Sequence, residues 1–561
     1  MCSPQLFILI LSVLDIPTSA SSSRYAIITS RSANKDYVYA ICGGATGSGI
    51  FEGIYKSTNN GQSYVRKTNS PNVLGYSPAG TDDVDQAGYD LCIAASPFST
   101  NVLTIGGINI WGSSNMNNST STFMSKTYWH ENIELTIAYI HSDQHDLAYD
   151  PLAKRLFTYN DGGLFRSTDD GTTWTDLSKG LYISQFYHLA QSNLSSYKYV
   201  GGLQDNGVKY RAKGTSDFTH MTGADGFSTS FSPHDPDVFY STRNTQAHRM
   251  KYSDGSQTYL SNWEFFPHIL AHPVDSNIVY LGGVSQGISG VWKSTNKGVT
   301  FTNKGRKGSW AMAISSSDPT KMYAAGGDSF APGTGGVYYS GNSGESWTEI
   351  SSNSGFPNSA NYNTVTDIAI NTAAPSAVYV TVGGFIVGSK IFYSGDAGQT
   401  WFNYSFDVPN VVVHSAAVVA DKVYVGTDIS LYSRTFGTET WVDVGDNLPL
   451  VPITEILPDT KTGRITIATF GRGVWERAYC VANVTLTEDL EGQLDYQSSN
   501  LITSSSLISG DDVDAVTFKA GGKVVLTPGF KATEGTYFQA KTSGCVDGDL
   551  PAARVDSVSK Q

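Results

Sequence analysis

The residues best suited to chemistry lie in four short polar motifs between residues 141 and 226. Each motif supplies one candidate catalytic carboxylate, and these are Asp143, Asp161, Asp205 and Asp225. Two such carboxylates, one protonated and one charged, can act as acid and base when a glycosidic bond is cleaved. Because Asp-Gly and Asn-Gly also favour tight turns, a purely structural role for these motifs is the alternative.

Three residues of the first motif could bind a metal ion. His141, Asp143 and His145 alternate in sequence, so on a β-strand they would project from one face. Two imidazoles and a carboxylate could hold zinc or another divalent ion, whose bound water would be a hydrolytic nucleophile. The sequence offers no fourth ligand, so no cofactor is expected and a divalent metal ion is kept as an alternative.

An internal repeat predicts the elements that position these residues. The repeated phrase is Ser-X-Asn/Asp-X-Gly-X-Ser/Thr-aromatic, preceded by two short strands. Its clear copies span 57–64, 167–174, 294–301, 340–347 and 394–401. The Asn/Asp side chain can accept backbone N–H groups, and glycine permits positive φ, so each copy is expected to be a turn. From Ser294 onward the copies recur at roughly the 40–50 residues that build a four-stranded propeller blade.

The repeated phrase resembles the Asp-box, or bacterial-neuraminidase repeat, of β-propellers in sialidases, xyloglucan-active glycosidases and sortilin-type receptors. The resemblance implies an all-β fold of about ten blades, as one large ring or two smaller propellers. The segment 141–207 looks most like secreted two-propeller proteins. In this superfamily the Asp-boxes lie at the blade periphery and ligands bind in the central channel, which implies that the four aspartates line a channel.

The ends of the chain differ from the repeat region. Residues 1–20 contain a short apolar run and a small-residue cleavage site, which predicts a signal peptide and secretion. The propeller region is assigned to 21–477, a small β-stack module to 478–546, and a tail to 547–561. Alternation and spaced glycines in 516–545 predict short stacked hairpins, and this segment is similar to the coathanger-stack module of exported Bacteroidetes proteins.

Secretion suits disulfides and glycosylation. The nearest-neighbour pairing joins Cys42 to Cys92 and Cys480 to Cys545, although two other pairings exist. Five residues begin N-x-S/T triplets and are candidate glycosylation sites, so the product is a candidate glycoprotein; they are Asn117, Asn118, Asn193, Asn403 and Asn483.

Composition narrows the function. The formal net charge of −13 argues against nucleic acid as a partner, and no apolar run after the signal is long enough to span a membrane. The arginine pattern of sialidases is missing. The predicted function is a secreted protein that binds or hydrolyses extracellular polysaccharide or glycoprotein glycans, as a glycoside hydrolase if it is an enzyme. The alternative is a non-enzymatic extracellular interaction or matrix scaffold.

Overall fold

The fold was taken from a computed structural model of the protein. It describes residues 22–32, 35–44, 51–130, 136–195, 197–211, 217–264, 267–305, 311–326, 336–357, 364–490, 493–509, 515–545, 553–554 and 557–558. The predicted signal peptide and most of the predicted tail lie outside these ranges. Within them every regular element is a strand, and no helix has the length and apolar character to cross a membrane.

The chain divides into two compact units, Met1–Leu181 (unit 1) and Tyr182–Gln561 (unit 2). In the described residues, three sheets of unit 1 and six of unit 2 contain four strands that follow one another in sequence order, and a seventh sheet of unit 2 contains three such strands and one from the end of the chain. Within each unit, the first strand of each of these sheets packs against the first strand of the next. The predicted all-β fold of about ten propeller blades is therefore confirmed.

Unit 1 contains three antiparallel four-stranded sheets and one short parallel pair. The first sheet comprises β1 (Ser22–Ser32), β2 (Lys35–Gly44), β3 (Gly53–Ser57) and β4 (Val65–Thr68). The second comprises β5 (Cys92–Ala95), β6 (Leu103–Gly106), β7 (Ile110–Ser113) and β8 (Met124–Ser125). The parallel pair is β9 (Thr127–Tyr128) and β10 (Ala138–Tyr139). The third sheet comprises β11 (Gln144–Asp150), β12 (Arg155–Asn160), β13 (Gly163–Ser167) and β14 (Thr175–Asp176).

Unit 2 contains a ring of seven sheets. Their strands are β15 (Phe186–Gln191), β16 (Tyr199–Leu203), β17 (Gly207–Arg211), β18 (Asp217–Thr222); β19 (Gly226–Phe231), β20 (Val238–Arg243), β21 (Gln246–Lys251), β22 (Gln257–Asn262); β23 (His268–Ala271), β24 (Val279–Ser285), β25 (Ile288–Ser294), β26 (Thr302–Asn303); β27 (Ala311–Ile314), β28 (Met322–Ala325), β29 (Val337–Ser340), β30 (Thr348–Glu349); β31 (Val365–Ile370), β32 (Val378–Val382), β33 (Ile391–Ser394), β34 (Phe402–Asn403); β35 (Val413–Val419), β36 (Lys422–Thr427), β37 (Leu431–Thr435), β38 (Val442–Asp443); and β39 (Ile453–Asp459), β40 (Arg464–Thr469), β41 (Val474–Ala478). The ring closes because β39 packs against β15.

Polar contacts fasten the closure of this ring. Glu476 of the last sheet pairs with Arg464 at 2.6 Å and with Arg211 of the first sheet at 3.1 Å. Its carboxylate is almost fully buried, and burial alone would raise its pKa, but the charges of Arg464 and Arg211 outweigh burial and lower that pKa. Thr454 also donates to the carbonyl of Phe186, 2.8 Å away. The first and last sheets are thus joined by ionic as well as apolar contacts.

The segment after Ala478 forms a small stack with its own apolar core. Its strands are β42 (Val481–Leu486), β43 (Gln493–Ser504), β44 (Leu507–Ile508), β45 (Ala515–Ala520), β46 (Lys523–Leu526), β47 (Lys531–Ala532) and β48 (Tyr537–Lys541). They pair in parallel, so the predicted stacked hairpins are wrong: period-two alternation reports a buried face but not strand direction. A Cβ on Gly544 would lie 2.1 Å from the Gly521 nitrogen, which explains why glycine stands where layers meet.

Two short strands follow the stack and return to the ring. Strand β49 (Ala553–Arg554) pairs antiparallel with β41 and adds a fourth strand to the last sheet. Strand β50 (Ser557–Val558) pairs parallel with β18 and adds a fifth strand to the first sheet. The end of the chain therefore pairs with the sheets on both sides of the ring closure.

Each repeated phrase forms the turn between the third and fourth strands of its sheet. In the second copy Ser167 Oγ accepts the Gly171 N–H at 2.9 Å, and Asp169 Oδ1 accepts the Thr173 N–H at 2.8 Å. The other four copies repeat both bonds. These side chains are occupied by the turn itself.

Candidate functional site

Asp90 of unit 1 has a carboxyl group that is buried without a hydrogen-bond partner in the described part of the chain. It lies two residues before β5. Its side chain is 1% exposed, and no donor among the described residues reaches either carboxyl oxygen. Burial, followed by the charge of Asp143, raises the pKa of Asp90 to about 9. Asp90 is therefore protonated at neutral pH, and its proton can be shared with Asp143.

Asp143 lies beside Asp90, immediately before the innermost strand β11. Its backbone has φ of 63°, and its carboxylate accepts hydrogen bonds from Gln86 Nε2 at 3.0 Å and Ser142 Oγ at 3.1 Å. Burial, followed by the charge of Asp161, raises the pKa of Asp143. Its environment therefore favours retention of a proton, although less strongly than at Asp90.

Asp161, in the turn between β12 and β13, has a different environment. One carboxylate oxygen lies 2.6 Å from His145 Nε2, and the other accepts the Tyr89 hydroxyl at 2.8 Å. The hydrogen bond to Asp161 raises the pKa of His145, whose side chain is 39% exposed. An imidazole and a phenol thus hydrogen-bond to the two oxygens of Asp161. We call Asp90, Asp143, Asp161, His145 and Tyr89 the acidic site.

Exposed aromatic rings lie close to the acidic site. Tyr76 is 43% exposed and Trp129 is 36% exposed, and their rings meet edge to face with centroids 6.1 Å apart. The charges of Asp143 and Asp90 contribute, after burial, to the raised pKa of Tyr76. Buried Asn109 links the two residues, because its side chain accepts the backbone N–H of Trp129 and donates to the backbone carbonyl of Tyr76. The indole N–H of Trp129 also donates to the carbonyl of Tyr76. Such rings can stack on the apolar face of a sugar.

The acidic site therefore combines two buried carboxyl groups of raised pKa, Asp90 and Asp143, with a differently surrounded carboxyl group, Asp161, beside an aromatic platform. Two carboxyl groups with different environments are the usual basis for assigning acid and base roles. Sequence reasoning placed Asp143 and Asp161 among the candidates but missed Asp90, Tyr89 and Gln86. These three lie in the segment 69–91 between β4 and β5, whose acid-rich stretch Thr81–Asp90 was the available signal.

The other two candidate aspartates lie in unit 2. Asp205 occupies the turn between β16 and β17 with φ of 56°, and its N–H donates to Asp225 Oδ1 at 2.8 Å. The Asp225 N–H in turn donates to Asn244 Oδ1 at 3.0 Å. Asp225 Oδ1 is thus used in a backbone contact that links consecutive turns.

The proposed metal ligands are not arranged as a ligand set. Asp143 adopts positive φ before β11 begins, and a bulge lies between Gln144 and Asp146, so the predicted alternation of His141, Asp143 and His145 on one strand is wrong. His145 pairs with Asp161, whereas His141 is 8% exposed. No group of three His, Cys, Asp or Glu side chains in the described ranges could hold a metal ion.

One predicted disulfide is present and the other is not. Cys480 and Cys545 are bonded, with Cα atoms 5.7 Å apart, as predicted. The Cys42–Cys92 prediction is wrong: both are free, buried thiols, because Cys42 packs with Tyr55 and Tyr64 while Cys92 belongs to a different core cluster. The five candidate glycosylation asparagines are all exposed, and their modification stays a prediction.

A second polar cluster lines the innermost strands of unit 2. His188 Nδ1 of β15 lies 3.1 Å from Glu455 Oε2 of β39, and its ring meets that of His268 of β23 edge to face at 5.0 Å. Burial and the charge of Glu455 raise the pKa of Asp367, on β31, to about 7. Sequence reasoning missed this cluster because its members are single residues on strands from four separate sheets.

Comparisons with solved structures find several similar chains at low sequence identity. Similarity extends to a GH74 enzyme of Niastella koreensis (14% identity, 80% of this chain and 74% of that chain, TM-score 0.49). It also extends to a GH74 xyloglucanase of Xanthomonas campestris (14%, 81% and 78%, TM-score 0.24) and to the β-propeller domain of Cps50 from Myceliophteria thermophila (11%, 51% and 96%, TM-score 0.36). No protein-family model and no curated protein matches the sequence.

Proposed function

We propose that this protein is a secreted β-propeller protein that binds extracellular glycans and hydrolyses them at the acidic site of unit 1. The observation that carries the proposal is the contrast between the carboxyl groups there. Burial raises the pKa of Asp90 and Asp143, whereas the carboxyl group of Asp161 is hydrogen-bonded to His145 and Tyr89. This is the division of roles that acid–base cleavage of a glycosidic bond requires.

Each residue then has a distinct task. Asp143 donates a proton to the leaving oxygen, and Asp90 positions that proton through its own carboxyl group. The glycosidic C–O bond breaks as the oxygen of a water molecule bonds to the anomeric carbon, and Asp161 acts as the base that takes a proton from that water. His145 orients Asp161 through their hydrogen bond. Tyr76 and Trp129 provide the surface on which a sugar ring stacks. A general acid or base of this kind contributes roughly 100- to 10,000-fold to the rate.

Hydrolysis and binding of a panel of plant, algal and animal glycans test the proposal. Asp143→Asn and Asp161→Asn should each lower kcat at least about 100-fold while glycan binding is retained. Trp129→Ala should weaken binding, and Asp83→Asn, an exposed acid of the same segment, should change neither quantity.

Three results would contradict the proposal. Binding without cleavage by the unmodified chain would remove the hydrolytic part. If no glycan is bound, or if the Asp143, Asp161 and Trp129 variants all behave like the unmodified chain, the acidic site is not a glycan site.

The proposal also includes the domain organisation. It assigns a signal peptide to 1–20, an Asp-box propeller region to 21–477 and a module similar to the coathanger stack to 478–546.

A non-enzymatic interaction scaffold is the second candidate function. It is favoured by three consecutive exposed apolar residues between β32 and β33 of unit 2, Phe385 (67% exposed), Ile386 (40%) and Val387 (79%). Exposed apolar groups of this kind are typical of contact surfaces. Capture of secreted proteins by the intact chain but not by a Phe385→Ser, Val387→Ser double variant would support this function, and equal capture by both would contradict it.

A further inference from the structure

A basic groove lies between the second and third sheets of unit 2. The cavity measures about 460 Å³, and its cationic side chains are Arg249 and Lys251 of β21 and Lys297 of the repeated phrase between β25 and β26. This volume falls within the roughly 300–1,000 Å³ of small-molecule sites. The remaining lining is mostly polar, and it includes hydroxyl groups such as those of Thr258 and Ser276.

Strand register fixes the position of the central cation. Arg249 lies opposite Tyr240 on one neighbouring strand and opposite Thr258 on the other. Directly opposed residues project from the same face of a sheet, so these three side chains stand side by side, with Lys251 two residues along the same face. Tyr240 is 1% exposed and forms a rigid floor next to the guanidinium of Arg249.

Within the ranges that the structure describes, the cations of the groove form no close ion pairs, and the nearby carboxylate of Asp254 has its pKa lowered first by hydrogen bonds from Ser256 and then by the charge of Lys251. Among the described residues, no acidic side chain forms an ion pair with Arg249, Lys251 or Lys297. Asp235 is the one carboxylate of the lining, and one of its oxygens accepts the Asp237 N–H. Three cations face one carboxylate in a protein whose formal net charge is −13. The groove is therefore locally positive in a chain that is negatively charged as a whole.

We propose that the basic groove binds an anionic saccharide, through a uronate carboxylate or a sulfate ester. The proposal rests on the proposed glycan function and names the charge of a ligand that this function leaves open. A guanidinium and two ammonium groups fit a carboxylate or sulfate, because charge-assisted hydrogen bonds to oxyanions are among the strongest available. The hydroxyl side chains provide partners for sugar hydroxyls, which an inorganic anion does not have.

Binding of defined trisaccharides to the full chain tests the proposal. The probes are trigalacturonic acid for carboxylates, a sulfated galactose trisaccharide without uronate for sulfate esters, cellotriose as the neutral control and inorganic sulfate. At least one anionic trisaccharide should bind, more tightly than cellotriose and inorganic sulfate, and higher salt should weaken this binding. Arg249→Gln and Lys297→Gln should each weaken it about 10-fold, and Lys531→Gln, an exposed control in the stack, should not.

Several results would overturn the proposal. Unchanged affinity in the Arg249 and Lys297 variants would remove the groove as the site. If inorganic sulfate binds as tightly as the sulfated sugar, the groove does not recognise a saccharide. If no anionic probe binds, the groove is neither an anion site nor a saccharide site. Binding of cellotriose and its loss in Trp129→Ala report separately on the acidic site, so either proposal can fail while the other stands.

Discussion

Buried carboxylates in the two units have opposite surroundings. In unit 2, Glu476 lies between Arg211 and Arg464, and their charges hold its pKa below the usual value. In unit 1, Asp90 is equally buried but faces another carboxylate, and its pKa rises to about 9. A buried carboxylate that is paired with two cations stabilises the contact between the strands that carry them. A buried acid without a donor costs stability, and such costs are typical of functional sites.

Replacement of Glu476 should give the largest loss of stability. Glu476→Gln leaves two arginines without their carboxylate, so the free energy of unfolding of unit 2 should fall by about 3–5 kcal/mol. Denaturant unfolding at pH 7 measures this change. Glu345→Gln is the matched control, since Glu345 also pairs with two cations but is 47% exposed, and it should cost less than about 1 kcal/mol. Equal losses of stability in the Glu476 and Glu345 variants would show that burial does not strengthen the ion pairs of Glu476.

Reduction of the disulfide should destabilise unit 2 and leave unit 1 unchanged. The bond between Cys480 and Cys545 spans 65 residues, and removing such a bond costs about 2–4 kcal/mol. Cys42 and Cys92 are already thiols. Thermal unfolding with and without reductant should therefore show one transition that moves and one that does not. A shift of both transitions would show that the thiols of unit 1 are oxidised.

Asp90 should give stability the opposite pH dependence from Glu476. An unfolded Asp has a pKa near 3.9, so between about pH 4 and 9 the folded chain holds a proton that the unfolded chain has released, and stability falls as pH rises. Asp90→Asn should remove this slope and stabilise unit 1 at pH 8 by at least about 1.4 kcal/mol, the equivalent of one pKa unit. Asp83→Asn is the control.

The sign differs for Glu476 because its folded pKa is lowered. Its contribution is fully present above the unfolded pKa and is lost as pH falls through the folded value. Melting temperatures of both units between pH 3 and 9 check the two slopes. A stability of unit 1 that rises through this range because of Asp90 would contradict the assigned burial.

The smallest effect is expected at a repeated phrase. The Thr400 side chain and N–H both donate to Asp396 and lower its pKa. Asp396→Ala removes these bonds at a partly exposed turn and should cost about 1 kcal/mol. The control is Asp421→Ala, an exposed acid of the next sheet. A loss above about 3 kcal/mol would mean that the phrase supports more than its own turn.

The sequence predicts the fold better than the site. The repeated phrases set residue type and turn geometry within eight residues, so their positions are readable without tertiary information. The acidic site depends on contacts between Gln86 and Asp143 and between Tyr89 and Asp161, which join positions 57 and 72 residues apart. Such contacts are set by packing between sheets. A single bulge after Gln144 is likewise enough to separate His145 from the face predicted for it.

The two short strands after the stack have a consequence for the timing of folding. Strands β49 and β50 pair with the last and first sheets of the ring. Arg211 pairs with Glu476, which lies 265 residues later in the chain. During synthesis, the earlier sheets emerge long before these partners exist. Because contacts at such separations form slowly, ring closure is a late event, and chains released before residue 558 would leave strand edges of unit 2 exposed to aggregation.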